Sequence, residues 1–194
     1  MTLFWLVAMV TAATGGPVPL STCASEFAGI PSPVWTEGLA EARRILAAAG
    51  VEVTWTRCNP GQEDRAIRVY SVASAPVKPS DLGLALPEVH RIYVVAPHVA
   101  KRAGGNYREW IVVLGCVIAH EIGHIAGLSH APRGLMHSHW SVEDLHAAAA
   151  GRLTFTEEQG RTLRTWAILW PPLAPAVSES PALSRKTASP VGKR

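Results

Sequence analysis

The chain has 194 residues, 48% of them apolar and 17% charged, too hydrophobic a composition for a protein disordered over most of its length. That size suits one domain with a single core, and a net charge of +3 from scattered basic residues leaves no footprint for a nucleic acid. In chain order, MTLFWLVAMVTAATGG opens with an apolar run from Leu3 to Ala13. The run is too short to span a bilayer and of the right length for the hydrophobic part of an export signal. Gly15, Gly16 and Pro17 end it, and Ala13-Thr14-Gly15 offers small residues to a processing enzyme, although no Lys or Arg precedes the run. The alternatives are a mistaken start site or a buried N-terminal strand. Residues 1–22 are read as a leader, and the protein as secreted, periplasmic or held at the cell surface.

Three cysteines, at 23, 58 and 116, permit one disulfide in an exported chain. Cys116 lies in a very apolar run and suits a buried thiol, which leaves Cys23 and Cys58 as the pair. Leu20-Ser21-Thr22-Cys23 is also an imperfect lipid-attachment box, so a lipid anchor on Cys23 is the minority alternative.

Next comes a helix signal behind Ser32-Pro33, with Thr36 as cap, Glu37 and Glu41 in the first turns, and Gly50 as stop. Leu39, Ala42, Leu46 and Ala49 recur at helical spacing. VEVTWTR (51–57) alternates as a half-buried strand does, and AIRVYSVA (66–73) and RIYVVA (91–96) read as two more strands. The prolines and Gly83 between Ala75 and Pro87 predict a loop with a short edge strand at 82–86. Residues 98–108, with Gly104-Gly105, read as a surface connection. Asn106 to Glu109 then caps a helix over 110–126 that is apolar on nearly every face, which places it mid-domain. Ser141 caps a short helix ending near Gly151. Thr156 to Gln159 starts a last helix through Leu163, Trp166 and Trp170, stopped by Pro171-Pro172. The remaining Pro, Ser and basic residues, 172–194, carry no periodicity and read as a disordered tail. The expected fold is a mixed α/β (α+β) domain over residues 23–171.

HEIGHIAGLSH, residues 120–130, carries the chemistry. His120 and His124 stand four apart on a helix, so their rings rise from one face. A straight helix would carry His130 past any shared ion. Gly127, with no Cβ, can take a positive φ, end the helix and turn Leu128-Ser129-His130 back. Three neutral imidazoles suit one Zn2+ and leave a fourth position for water, whose pKa the ion lowers towards about 7. Glu121, beside His120, has the place of a general base for that water.

The pattern H-E-x-x-H-x-x-G-x-x-H resembles the signature of the metzincins, a clan of zinc peptidases that includes matrixins, serralysins and astacins. The resemblance covers 120–136 and implies a zincin-type fold. In that fold a twisted mixed sheet is accompanied by a long helix, an active-site helix, a methionine turn and a C-terminal helix. It further implies His120, His124 and His130 as zinc ligands, Glu121 as catalytic base, and Met136 in Gly134-Leu135-Met136 as the Met-turn residue beneath the ion. The subfamily stays open. Gly127-Leu128 leans towards matrixins or serralysins, but Ala131 follows the third histidine where matrixins usually show Ser, serralysins Pro, astacins Glu and adamalysins Asp. No calcium-binding glycine repeats follow, Ser138 replaces the astacin tyrosine, and no cysteine cluster follows His130 as in an archaemetzincin.

The expectation is therefore an exported, monomeric zinc endopeptidase acting on peptides or proteins, with no nucleic-acid partner and no transmembrane segment. Its rivals are a catalytically silent zinc-binding module of the same fold, and a lipoprotein whose role is structural. His137 and His139 are expected to be solvated rather than to aid substrate binding, His90, His98 and His146 to lie at the surface, and Trp140 to close the core against the last helix rather than line a substrate pocket. A peptide substrate would add to the edge at 82–86 as a further strand.

Overall fold

The computed structural model describes residues 16–59 and 66–170. The apolar run Leu3–Ala13, the Pro171 stop and the tail at 172–194 lie outside them. A five-stranded sheet is built from β1 (Val18–Glu26), β2 (Val51–Arg57), β3 (Ile67–Val72), β4 (Gly83–Leu86) and β5 (Arg91–Val95), in the order β2-β1-β3-β5-β4. The pairings of β1 with β2 and β3, and of β3 with β5, are parallel. Only β4 is antiparallel, at the edge. Parallel neighbours demand crossovers, and these are α1 (Ser32–Ala48) and the excursion through β4. Then come α2 (Ala96–Arg102), α3 (Tyr107–Ile125), α4 (Val142–Ala149) and α5 (Glu157–Leu169). No helix among the described residues is long and apolar enough to cross a membrane.

The assigned leader boundary at residue 22 falls inside β1. This strand has neighbours on both sides, and Leu20, Thr22, Cys23 and Ala24 are buried, so the folded domain takes in residues from Val18 onward. Its sequence, VPLSTCASE, hides well because burial on both faces abolishes polar alternation. Cys23 forms a disulfide with Cys58, joining β1 to the end of β2. Cleavage ahead of a lipidated Cys23 would remove Val18–Thr22 from an interior strand, so the structure speaks against the lipid box. Cys116 is a buried free thiol, as expected, and burial pushes it up to about 12.

Thr36 does not cap α1. The helix starts four residues earlier, at Ser32, because Pro33 is pre-set for a first helical turn and has no N–H to satisfy. Its inward face, Val34, Trp35, Gly38, Ala42, Ile45 and Leu46, packs on α3. The two helices approach closely: a Cβ on Gly38 would lie 2.4 Å from Leu114 Cδ2, and one on Gly115 2.5 Å from Glu41 Cγ. The predicted caps of the last three helices are present. Asn106 accepts from Glu109 N–H, and Ser141 with Asp144 and Thr156 with Gln159 form reciprocal boxes. Residues 98–108, expected as a connection, instead share α2, whose Ala96 and Val99, with Ala103 after them, are buried.

The centre of the domain is α3. Every residue from Val113 to Gly123 is buried, so the helix is sandwiched between α1 and the β4–β5 side of the sheet. That placement sets residues 120–124 at the C-terminal end of α3, beside the sheet edge, with 120–123 still buried and His124 half-buried.

Candidate metal centre

At its last turn α3 meets the residue that ends it. Gly127 has φ +83°, and two hydrogen bonds close the helix behind it: Leu128 N–H to Gly123 O at 2.9 Å, and Gly127 N–H to His124 O at 3.0 Å. This is a Schellman stop, which only a residue at ease with positive φ makes cheaply. The turn reverses the chain and brings His130 onto the rings of the helix. The ring centroids of His120 and His124 are 4.6 Å apart, those of His124 and His130 4.7 Å, and those of His120 and His130 5.3 Å. One ligand atom from each of the three lies within 4.8 Å of the others, so the trio can hold a single metal ion.

Two of the rings are oriented by backbone. His120 Nδ1 donates to Leu135 O and His124 Nδ1 to Leu128 O, each at 2.8 Å. A proton fixed on Nδ1 leaves the Nε2 lone pair free to ligate. In this tautomer the lone pair of His124 Nε2 points at His130 Nε2, 3.2 Å away. Burial lowers the pKa of His120 to about 4 and, less strongly, that of His124, so both rings are neutral at neutral pH. The Leu135 carbonyl also accepts from Trp140 Nε1 at 3.1 Å, and the Trp140 ring stands edge-on to His120 at 5.7 Å. Trp140 thus accompanies the site while also packing, half-buried, against the core. Its own carbonyl accepts from Arg102.

Below the histidines a turn at Gly134, φ +80°, carries Leu135 and Met136. It is tied on both sides, by Ala131 N–H to Met136 O at 2.8 Å and by Leu135 N–H to Thr154 O at 3.3 Å. Met136 is fully buried against α3. A Cβ on Gly123, between the two helical histidines, would lie 2.6 Å from its Sδ. Glu121 is 7% exposed and leans away from the turn towards β4, where a Cβ on Gly83 would come within 2.7 Å of its Oε1. Burial pushes its carboxyl up to about 8, against a hydrogen bond from the Ala85 backbone that pulls it down. A divalent cation among the three rings would also favour the ionised form.

Of the remaining histidines, His137 lies 3.6 Å from the Asp144 carboxylate, and exposed His139 is near Ser138. His146 is exposed, as expected. His90 and His98 are half-buried: His90, at φ 51°, stands edge-on to Trp170, and His98 Nδ1 binds Asp81 O at 2.7 Å. The two carbonyls that orient His120 and His124, and Gly83 opposite Glu121, have no signature in composition or spacing.

Among solved structures, the chain is similar to a zinc-dependent peptidase from Methanocorpusculum labreanum. The two share 15% identity over 74% of this chain and 100% of that one, with a TM-score of 0.57. It is also similar to an archaemetzincin from Methanopyrus kandleri, at 17% identity over 80% of this chain and 98% of that one, with a TM-score of 0.51. The likeness is one of fold. It confirms the mixed α/β architecture expected from the sequence, and the leaning towards a matrixin- or serralysin-like subfamily is not confirmed by it. No protein-family model and no curated protein matches the chain.

Proposed function

We propose that the protein is an exported zinc-dependent endopeptidase of metzincin type, with His120, His124 and His130 as ligands and Glu121 as general base. The observation that carries this reading is the convergence of three ring nitrogens, two with their Nδ1 protons committed to backbone carbonyls, beside a buried carboxyl on the same helix. An all-imidazole set suits Zn2+, and the peptidases of like fold are named as zinc-dependent or archaemetzincin. Gly134 to Met136 fits a Met-turn, its methionine packed under the helix between the ligands.

Zinc, when bound, supplies Lewis acidity: it polarises the scissile carbonyl and makes water acidic enough to attack near neutral pH. The chain's own residues do the rest. Glu121 accepts the proton of the attacking water and returns it to the departing amide nitrogen. The edge strand β4 offers backbone groups on which an extended substrate can align. The Leu135 and Leu128 carbonyls hold the rings in one tautomer. Export fits the Cys23–Cys58 disulfide, which persists in an oxidising compartment, and processing near Gly15 would leave β1 whole.

The test is metal content and cleavage of an unstructured protein by the purified chain, with and without chelator. Glu121→Gln is expected to retain zinc and lose about a thousandfold or more in kcat, whereas His124→Ala loses both metal and cleavage. A Glu121→Gln protein that cuts as fast as the parent removes the assigned base. A parent that binds zinc and cuts nothing in a broad peptide library favours the silent binding module.

A further inference from the structure

The antiparallel register of β4 on β5 decides which of its backbone groups face the sheet. Val95 N–H donates to Leu82 O at 2.9 Å, and Leu84 stands opposite Tyr93 two residues on, so Leu82, Leu84 and Leu86 turn their N–H and C=O groups towards β5. Gly83 and Ala85 turn theirs outward from the sheet edge, where no strand among the described residues meets them. Unpaired edge groups are normally left to water. Here α3 packs against β4, and Glu121 lies against both outward residues: its Oε1, Cγ and Cδ would be 2.7, 2.9 and 3.0 Å from a Cβ on Gly83, and it receives the Ala85 backbone hydrogen bond. Gly83 has no positive φ to justify it. Its lack of a side chain has a steric reason instead, since any Cβ would occupy the place of the carboxyl. The entry to the strand is anchored separately, by His98 of α2 on Asp81 O.

We propose that Gly83 and the Ala85 N–H form a socket on the edge strand that positions the Glu121 carboxyl, with Gly83 as a positioning residue for the general base. The inference rests on the reading of Glu121 as that base. Peptide hydrolysis needs the carboxylate placed to within a fraction of an ångström, and the long, flexible glutamate side chain does not provide this by itself. The socket provides it from the strand that a substrate would also use, so the base and the substrate share one rigid reference.

Hydrogen exchange by NMR on the zinc-loaded full chain tests the socket without relying on turnover. An outward amide on an edge strand exchanges quickly unless something holds it. The Ala85 amide is expected to be protected in the parent and to exchange about tenfold faster or more in Glu121→Ala, with Val95 unchanged as the in-sheet control. Gly83→Ala is expected to release the same amide, keep its zinc, and lower kcat about a hundredfold with little change in KM. Equal Ala85 exchange in the parent and Glu121→Ala overturns the proposal. So does a Gly83→Ala protein with Val95 protected and kcat at the parent value. If Gly83→Ala leaves Val95 unprotected, the fold itself has failed and the Glu121→Ala comparison decides. A parent that never cleaves peptides defeats the peptidase reading, yet leaves the Ala85 result standing or falling by itself.

Discussion

The two sides of the metal centre are made differently. On one side, residues 120–136 supply the three candidate ligands, the Gly127 stop, the orienting carbonyls and the methionine beneath them, all from one local stretch of chain. On the other, β4 arrives by antiparallel pairing with β5 and touches Glu121 from almost forty residues upstream. Helix-stop chemistry and histidine spacing are rules of neighbours, so the first side is written in order along the chain. The second depends on which strand ends at the sheet edge, and that is decided by the whole fold. The local side should therefore fail piecewise under mutation, and the distant side only when the edge strand moves.

The largest expected effect on stability comes from the local side. Met136→Ala empties a fully buried place against α3 and should cost about 2–5 kcal/mol in denaturant unfolding, while Met136→Leu costs less than about 1.5 kcal/mol. If alanine there costs nothing, Met136 is not filling the space beneath the ligands. The Cys23–Cys58 bridge, whose cysteines are 35 residues apart, anchors the opposite edge of the sheet at β2. Reducing it, or replacing both cysteines by serine, should lower stability by about 2–4 kcal/mol while the zinc content of the folded protein stays near one per chain.

Alkaline titration gives an intermediate effect, in the core where α3 packs on α1. Cys116 is held protonated by burial up to about 12, whereas an unfolded thiol ionises near pH 8.5. The folded state thus keeps a proton that the unfolded state releases, and the stability contributed is whole below about pH 8.5 and lost as pH rises towards 12. The slope is at most about 1.4 kcal/mol per pH unit, and Cys116→Ala should flatten it by a measurable part. The same thiol should resist alkylation at pH 8 until the protein unfolds. The smallest effect is at the hinge. Gly127 has open space where a Cβ would go, so Gly127→Ala meets only backbone strain, about 1–2 kcal/mol, seen as a lower melting temperature and weaker zinc retention. An unchanged zinc affinity would mean that His130 does not depend on that turn.

How much of this was legible in the sequence follows the same division. The capped helices α3, α4 and α5 follow from Asn106, Ser141 and Thr156, because a cap and its partner sit three residues apart. The stripe of α1 was readable, but its start was not. Thr36 is a good capping residue, yet Pro33 makes a first turn that needs no side-chain cap. Helix α2 and its C-cap carry a buried stripe, Ala96, Val99 and Ala103, that Gly104-Gly105 overshadowed. β1 was concealed because its buried run, Thr22-Cys23-Ala24, mixes polar and apolar residues without alternation and the strand follows directly on the apolar run at the start of the chain. At the site, the ligand set and the hinge could be placed by spacing. Gly83, the outward Ala85 N–H and the Trp140 contact with His120 could not, since each depends on pairing or packing between distant segments.

The central claim is that three histidines share one ion, and X-ray absorption at the zinc edge of the purified chain tests it most directly. The account predicts one zinc per chain, with three imidazole nitrogens at about 2.0–2.1 Å completed by an oxygen donor, and loss of the signal in His124→Ala. A first shell containing sulfur at about 2.3 Å, or no zinc retained at neutral pH, would contradict it.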